Sequence, residues 1–331
     1  MFDDDQPCSC VIHSTSVDSD WSADDEVSPE QSNTIPRLID DTTPAEHSRR
    51  VAIASSHGFV YDETAGVKSI LSSLTAHEMK FLSDDNMALR HYRAEKGNLD
   101  EAIRKIKNTL RWREEFGVDD IKRCFDKNDD LDPDVQKRRN EYAQIISQEN
   151  ATGKIYCRGY DKSGRAVLYL TPGRENSTNE LNNMRHLVYH LERGIACTHR
   201  KSGRQKVCIV IGYEGFKLSN APPMSTTKYT LDILQHHYPE RMFRAYICDP
   251  PFVFRTFWSI IRHFVDPTTL EKIAFCSGGE GQRILERDFD LDTTEKHMCG
   301  RREMREFSSE QFLWKIPFEF GFDDYGTDCD L

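Results

Sequence analysis

The sequence contains no apolar run that approaches the roughly 18 consecutive residues needed to span a bilayer as a helix. Its first ten residues, MFDDDQPCSC, are acidic and lack the apolar stretch of a secretory signal peptide. These two absences predict that no segment inserts permanently into a membrane. We therefore expect a cytoplasmic protein.

Cysteine pairs with the spacing of metal ligands are also absent. The ten cysteines are scattered, no two of them form a CxxC pair, and several lie inside apolar runs such as VCIVIG and AYICD. Buried thiols without a pairing pattern are typical of proteins that stay in a reducing compartment. The cysteine pattern therefore predicts reduced, buried thiols and an intracellular protein.

A basic excess, which nucleic-acid-binding proteins need, is missing from most of the chain. The formal net charge is −11, and residues 1–66 alone contain fourteen Asp and Glu against three Arg. Residues 67–331 hold 41 acidic and 41 basic side chains, so we expect no nucleic-acid partner. Residues 1–66 are rich in Ser, Asp, Thr and Pro, and this composition predicts a disordered acidic arm.

Complete catalytic and metal-binding motifs are missing too. The run DKNDDLDPDVQK (126–137) is spaced like a calcium loop, but Leu131 stands where glycine is needed and Lys137 where the bidentate glutamate belongs. The run HEMKF lacks the second histidine of a zinc helix, and no GxSxG nucleophile elbow is present. The sequence therefore predicts a protein that is not an enzyme and has no catalytic residues, no metal and no cofactor.

The chain does contain an ordered succession of helix and strand patterns. Residues 67–136 have apolar side chains at intervals of three and four, which predicts a small all-helical N-terminal subdomain. Residues 137–300 alternate apolar runs with helical stretches, which predicts an α/β domain with a mainly parallel β-sheet floor covered by helices. Residues 301–331 are a C-terminal extension without an assigned structure. The four candidate strands are 166–171, 207–212, 244–249 and 272–277.

The most unusual stretch is PPFVFRTFWSIIRHFVDPTTLEKIAF, residues 250–275, in which thirteen residues include four phenylalanines and a tryptophan. A helix over 252–265 would separate an apolar face from a polar one. It is either a core helix that covers the sheet, or a lid that covers an apolar cavity and opens at a membrane surface. The apolar face comprises Phe254, Phe257, Trp258, Ile261, Phe264 and Val265, and the polar face Arg255, Ser259, Arg262 and His263.

Three segments, in order along the chain, carry a family resemblance. They are ALRHYRAEKGNLDEAIRKIKNTLRWR, GYDKSGRAVLYLTPGREN and LQHHYPERMFRAYICDPPFVFRTFWSIIRHFVDPTTLEKIAF. Through them, residues from about Met87 to Ser277 resemble the CRAL-TRIO lipid-transfer family, and the run TPGREN…MRHLVYHLERGIA looks closest to a phosphatidylinositol- and sterol-binding subgroup. The resemblance implies a cavity floored by the sheet and closed by a mobile gate helix, about Phe252 to Val265. It also implies a bound phospholipid or sterol as ligand, without a cofactor.

A headgroup site follows from the same resemblance. In the family, a threonine and a lysine just after the gate contact the inositol phosphate, and they correspond to Thr269 and Lys272. Glu240 and Arg241 belong to the YPER run. They either contact the headgroup or form an ion pair that fixes the chain as it enters the strand.

Two departures from the family pattern bear on the ligand. Lys96 matches one member of a basic pair, whereas Glu95 replaces the other and reverses one charge. Val207 and Ile209 stand where members that exchange phosphatidylcholine carry small hydroxyl residues, and neither offers a hydrogen bond to a choline phosphate. We therefore expect a sterol or another apolar molecule, rather than phosphatidylcholine, as the second ligand.

The sequence favours a carrier that extracts phosphatidylinositol, exchanges it for a second lipid and thereby presents it to lipid kinases. Its partners would be membrane phospholipids, chiefly phosphatidylinositol, and the membrane surface. The alternative is a sensor or scaffold module that binds lipid without net transfer. An enzyme acting on small molecules is the least favoured function, because no nucleophile, metal set or phosphate loop is complete.

Overall fold

The computed structural model describes residues 52–53, 60–126, 131–217, 219, 221–303 and 307–315. Most of the predicted acidic arm and the centre of the acidic run at 127–130 lie outside the described residues. Two short strands, β1 (Ala52–Ile53) and β2 (Val60–Tyr61), pair antiparallel.

Four helices form an N-terminal layer, and local side chains cap the beginnings of two of them. The Asp62 carboxylate accepts a hydrogen bond from the Ala65 backbone N–H at the first helix, and the Asn98 side chain accepts one from the Glu101 N–H at the third. Gly117 ends the third helix with φ 74°, a left-handed conformation that glycine adopts without strain. The helices are α1 (Glu63–Ser73), α2 (Met87–Ala94), α3 (Leu99–Phe116) and α4 (Val118–Lys122). Because α1 begins at Glu63, the layer starts before the boundary predicted at residue 67.

A separate apolar core holds this helical layer together. Side chains from α1, α2 and α3 alternate at helical spacing and meet in its centre, so each helix buries one face against the other two. The buried members of this core are Ile70, Leu74, Met87, Ala88, Tyr92, Ala102, Ile106 and Leu110.

A five-stranded sheet forms the centre of the α/β domain, in the order β3–β4–β5–β6–β7. The first pair, β3 and β4, is antiparallel, and the three pairs that follow are parallel. The prediction of a mainly parallel sheet covered by helices is therefore confirmed, with one antiparallel strand at the edge. The strands are β3 (Ile155–Tyr160), β4 (Ala166–Leu170), β5 (Val207–Gly212), β6 (Met242–Cys248) and β7 (Ile273–Cys276).

Helices cover the sheet and connect its strands. α6 lies close to β4 because Gly194 leaves room there: a Cβ on this residue would come within 2.5 Å of Leu168 Cδ1. α7 continues directly into a π-helical turn, Ile233–His237, and α8 continues into a 3₁₀ turn, Arg262–Phe264. The helices of this domain are α5 (Pro133–Asn150), α6 (Glu180–Ser202), α7 (Met224–Asp232), α8 (Phe254–Ile261), α9 (Pro267–Leu270) and α10 (Gly278–Glu286).

Residues 307–315 also contribute to the core of the α/β domain. Phe312 and Leu313 are buried, and the Phe312 ring stacks on His190 of α6 with 5.5 Å between ring centroids. Part of the segment predicted as an unassigned extension therefore packs against α6. Among the described helices, none combines the length and the apolar character that crossing a bilayer requires.

Candidate functional site

The two faces of the sheet have different surroundings. Residues in register on parallel strands lie side by side on one face, so Ile209, Ala245 and Ile273 form one row, and Ile211, Ile247 and Phe275 the next. Exposure on this face reaches 41% at Phe275. On the opposite face Cys208, Val210, Tyr246 and Cys248 are completely buried, and Tyr246 contacts Phe289 at a ring-centroid distance of 5.1 Å.

The partly exposed face forms an apolar floor. Ile209, Ala245 and Ile247 are buried, yet they belong to neither of the two packed apolar cores that the described residues form. Val207, in contrast, belongs to the larger core and lies beside Gly194 of α6. Of the two residues singled out on this strand, only Ile209 therefore lies on the floor.

Helix α8 contacts this floor at Phe275, with a narrower apolar face than the sequence predicts. Phe254, Ile261 and Val265 are buried, and Phe257 and Trp258 are half-buried. Phe264 is 44% exposed, so its placement on the inner face is wrong. The α-helix ends at Ile261 and tightens into a 3₁₀ turn of three residues per turn, which rotates the following side chains away from the 3.6-residue periodicity.

The gate segment, residues 252–265, follows a residue with an unusual backbone conformation. Asp249 has a φ of 44° and is followed by Pro250 and Pro251. Phe252 precedes the helix and is 80% exposed. Asp249 is therefore a strained residue at the junction between β6 and the segment that covers the floor.

An aromatic cluster holds the first turns of α8 against the ends of the strands. Ring centroids lie 5.0 Å apart for Tyr213 and Phe254, and 5.3 Å apart for Trp258 and Phe275. Burial raises the pKa of Tyr213 above its ordinary value, so its hydroxyl stays neutral. The cluster makes the contact between α8 and the strand ends predominantly apolar.

Three charged residues meet at the edge of the sheet where the parallel strands begin. Lys206 directly precedes β5, Glu240 lies two residues before β6 and Lys272 directly precedes β7. The Glu240 carboxylate lies 3.1 Å from Lys206 Nζ and 3.6 Å from Lys272 Nζ. Burial opposes the charged form of Glu240, but the two ammonium groups outweigh it and hold the pKa of this carboxyl below its ordinary value. Lys206 was not predicted, although its position before an apolar strand matches that of Lys272.

The other predicted headgroup residues lie in different surroundings. Thr269 is half-buried in α9, where its backbone N–H donates to the Asp266 carboxylate at 2.9 Å. Lys96 is exposed and has a φ of 52°. Glu95 pairs with Lys105 at 2.6 Å. The structure therefore brings Glu240 and Lys272 together, and joins Thr269 to Lys272 through a backbone bond between them of 3.0 Å.

Arg241 lies in a buried ionic network between the helical layer and the sheet. Its guanidinium donates to the Asp84 carboxylate and, at 3.0 Å, to the Gln205 carbonyl. Asp84 also accepts two bonds from Arg90, at 2.7 and 2.8 Å. Burial and the neighbouring Arg90 lower the pKa of Arg241 to about 10, so it remains charged at neutral pH. This network favours the ion-pair role over headgroup contact.

A small polar cavity of about 10 Å³, with room for about one water molecule, adjoins this network. Its lining includes Arg90, His91, Arg113, Glu192 and Arg241. A charged lining suits water or small polar groups and is unfavourable for acyl chains, which the apolar floor under α8 suits better. Within the described residues, no three His, Cys, Asp or Glu side chains are grouped so that they could hold a metal ion.

Comparison with known proteins agrees with this architecture. The model of the CRAL/TRIO domain family matches residues 150–300. A CRAL-TRIO domain-containing protein of Schizosaccharomyces pombe is 36% identical over 187 residues, which cover 56% of this chain and 16% of that protein. Phosphatidylinositol transfer protein PDR17 of Saccharomyces cerevisiae is 30% identical over 201 residues, which cover 59% of this chain and 53% of that protein. The chain thus spans about half the length of one of these relatives and less of the other.

A solved structure shows the same fold. The crystal structure of Sfh5 superposes with a TM-score of 0.55 at 16% sequence identity, and the match covers 80% of this chain and 96% of that one. The sheet, the covering helices and the family match all fall on the same part of the sequence. Residues 150–300 of this chain therefore match the CRAL/TRIO domain family, and the fold that the chain shares with Sfh5 extends beyond them, since that match covers 80% of the chain.

Proposed function

We propose that the chain is a non-enzymatic carrier that holds a membrane lipid on the apolar floor beneath α8 and transfers phosphatidylinositol between membranes. The incompletely packed floor under an aromatic helix is the observation that supports this function most strongly. Moving two acyl chains of about 16 carbons into water would cost on the order of 20 kcal/mol, so a carrier must shield them. PDR17, one of the relatives, is named a phosphatidylinositol transfer protein.

The charged residues where the parallel strands begin would bind the inositol phosphate. Lys272 would donate from its ammonium group, Thr269 would donate from its hydroxyl, and Glu240 would orient Lys272 or accept from an inositol hydroxyl. A charge-assisted bond to phosphate contributes about 1.5 to 3 kcal/mol. Arg241 would stabilise the backbone next to Glu240 through its ion pair with Asp84. Lys96, exposed on the neighbouring turn, would add long-range attraction to the phosphate.

Transfer of labelled phosphatidylinositol between vesicles tests this assignment. The double variant Lys272→Ala and Thr269→Asp should slow transfer about tenfold or more, since it removes one charge-assisted bond and adds a negative charge. Lys80→Ala, which removes an exposed lysine of the helical layer, is the matched control and should leave the rate unchanged. An unchanged rate in the double variant would show that the headgroup lies elsewhere.

The exposed side of the gate segment would contact the membrane surface, so the protein would act as a cytoplasmic, peripherally associating carrier. Phe252, Ile260 and Phe264 are exposed apolar side chains, and Arg255 and Arg262 are exposed beside them. Aromatic and basic side chains together favour an anionic bilayer interface. Phe252→Asp should weaken co-sedimentation with anionic vesicles, whereas Leu181→Asp, at an exposed leucine of α6, should not. Equal losses in both variants would contradict this docking surface.

The second ligand would be a sterol or another apolar molecule. Ile209, Ala245 and Ile247 give the floor no side-chain hydrogen-bonding group for a choline phosphate. Exchange of such a ligand for phosphatidylinositol would present the phospholipid to lipid kinases. Native mass spectrometry of protein purified from eukaryotic cells tests this choice, and abundant co-purified phosphatidylcholine would overturn it.

A sensor or scaffold that binds lipid without net transfer is the second candidate function. The two functions share the floor and the headgroup site but differ in whether lipid leaves the protein at an acceptor membrane. If labelled phosphatidylinositol binds stoichiometrically and fails to reach acceptor vesicles, the sensor function is correct and the carrier function is wrong.

A further inference from the structure

The π-helical turn Ile233–His237 lies between the helical layer and the end of the gate segment. It follows α7 without a break, so the five residues Ile233 to His237 are wound more widely than the helix before them. Such wide turns are rare and occur most often at functional sites. The two sides of the π-helical turn Ile233–His237 contact different parts of the molecule.

One side of the turn is fixed to α3. The rings of His237 and Trp112 are parallel, at an interplanar angle of 2° and a centroid distance of 4.1 Å. The Thr109 hydroxyl donates to the His236 carbonyl at 3.0 Å and lies 3.2 Å from His237 Nδ1. Thr109 is buried. The turn is therefore anchored to the helical layer by a stacked pair and a buried hydrogen bond.

The other side of the turn holds the end of the gate segment. Gln235 Nε2 donates to the Phe264 carbonyl at 3.1 Å, and Gln235 Oε1 accepts from the Asp266 backbone N–H at 2.8 Å. The partners are a carbonyl and an N–H, so they fix the orientation of the side-chain amide. Lys228 of α7 adds a cation–π contact, with Nζ 4.4 Å from the centroid of the Phe264 ring.

Asp266 connects this contact to the proposed headgroup site. Its carboxylate caps α9 by accepting from the Thr269 N–H at 2.9 Å, and the Thr269 carbonyl accepts from the Lys272 N–H at 3.0 Å. A displacement of Asp266 would therefore move the backbone that carries both Thr269 and Lys272.

We propose that Gln235 is a latch that holds the gate closed and sets the position of the headgroup-binding residues at the same time. This inference rests on the proposed function, since it treats α8 as the cover of a lipid groove. Movement of the segment around Val265 away from α7 requires both hydrogen bonds of the Gln235 side-chain amide to break. Release of the cover and release of the phosphate-binding lysine are thereby coupled through one side chain.

Hydrogen–deuterium exchange of the full chain tests the latch without reference to any lipid. The Asp266 amide donates to Gln235, so its exchange rate reports this bond directly. Gln235→Ala should raise that rate about tenfold, and Gln235→Glu, which keeps the acceptor oxygen, should raise it less. Gln136→Ala is the matched control, because Gln136 bonds only locally to Asn140 on the exposed side of α5 among the contacts of the described residues.

Vesicle-to-vesicle transfer by the same variants tests the coupling. Gln235→Ala should change the initial rate of phosphatidylinositol transfer severalfold, while Gln136→Ala should not. Unchanged exchange at Asp266 in Gln235→Ala, or an equal change in the control, would overturn the latch. Faster exchange at Asp266 with unaltered transfer would overturn its control of lipid release. If the unmodified protein transfers no lipid, the proposed function fails, whereas the exchange experiment still decides whether Gln235 holds the segment.

Discussion

Acidification from pH 7 to pH 5 should destabilise this protein strongly, because several histidines are buried in the neutral form. Besides His91 and His190, burial lowers the pKa of His186, His237 and His297. His91 lies in the polar cavity, and His190 lies inside α6 with Nδ1 donating to the His186 carbonyl at 2.9 Å. Burial, reinforced by Arg90 for His91, lowers the pKa of each to about 3. Neither Nε2 atom has a hydrogen-bond partner among the described residues.

The direction in which stability changes with pH depends on whether the folded or the unfolded state binds more protons. In the unfolded chain a histidine has a pKa near 6.5, so below that pH the unfolded state takes up protons that the folded state refuses. Stability contributed by these histidines is present above pH 6.5 and is lost as the pH falls towards 3. Between pH 7 and pH 5 the loss is about 2 kcal/mol for each of His91 and His190, or about 4 kcal/mol for these two together.

Carboxylates do not contribute to the change in this range. Glu192 and Glu240 are held below the ordinary pKa of 4.5 by neighbouring cations, although burial opposes this. Their stabilising effect is lost only below about pH 4.5. A loss of stability between pH 7 and pH 5 therefore measures the protonation of the buried histidines on unfolding.

Urea unfolding at pH 7 and at pH 5, with salt concentration held constant, measures this effect. The expected loss is at least about 4 kcal/mol, because His186, His237 and His297 add to the effect of His91 and His190. This is a large part of the typical 5 to 15 kcal/mol stability of a folded domain. His91→Leu should reduce the loss by about 2 kcal/mol, since it removes one of these groups. A difference below about 1 kcal/mol between the two pH values would show that these histidines are protonated or hydrated in the folded state.

Two other predictions concern the ionic network and the floor. Asp84→Ala should cost about 3 to 5 kcal/mol in urea unfolding, because Arg90 and Arg241 lose the carboxylate that they share; a loss below about 1 kcal/mol would contradict the network. Ile209→Thr adds a hydroxyl to the floor and should increase the phosphatidylcholine that native mass spectrometry detects, whereas Val207→Ser should cost about 1 to 3 kcal/mol of stability without a change of ligand. Equal changes of ligand in both variants would contradict the placement of Val207 in the packed core.

Strands that are buried on both faces could be predicted from the sequence, whereas the edge strand could not. The run 207–212 is β5 with the predicted bounds, because a strand covered on both faces reads as a continuous apolar run. The run IYCRGY of β3 contains Arg158 and Gly159, and Gly159 has a φ of 68° at a shift in the pairing register with β4. This irregularity hides the alternation that would predict a strand.

The helix predicted as a gate lies where the sequence placed it, but part of its inner face was predicted incorrectly. Periodicity assumes one helical geometry from 252 to 265, whereas the α-helix begins at Phe254 and changes to a 3₁₀ turn at Arg262. No residue type in this stretch marks that change, since His263 and Phe264 occur in either geometry. Local patterns predict that an amphipathic helix is present more reliably than they predict its last turn.

The ionic partners lie too far apart in sequence for any local pattern to join them. Asp84 and Arg241 are separated by 157 residues, and their contact depends on how the helical layer packs against the strand ends. The proximity of the lysines before β5 and β7 could be predicted, because parallel strands begin at the same edge of a sheet. Applied to all three strands, that rule would have placed Lys206 beside Glu240 and Lys272.

The helical layer and the CRAL/TRIO domain share charges that neither can neutralise alone. Arg241 of the domain pairs with Asp84 of the layer, and Arg113 of the layer pairs with Glu192 of the domain at 2.7 Å. Separating the two parts would leave these buried charges without partners, at a cost of several kcal/mol for each pair. The layer is therefore a fixed frame, and through Trp112 and the π-helical turn it holds Gln235 in place. If the proposed function is correct, opening of the space beneath α8 would be confined to the segment between Asp249, where the backbone is strained, and Asp266, whose N–H donates to Gln235.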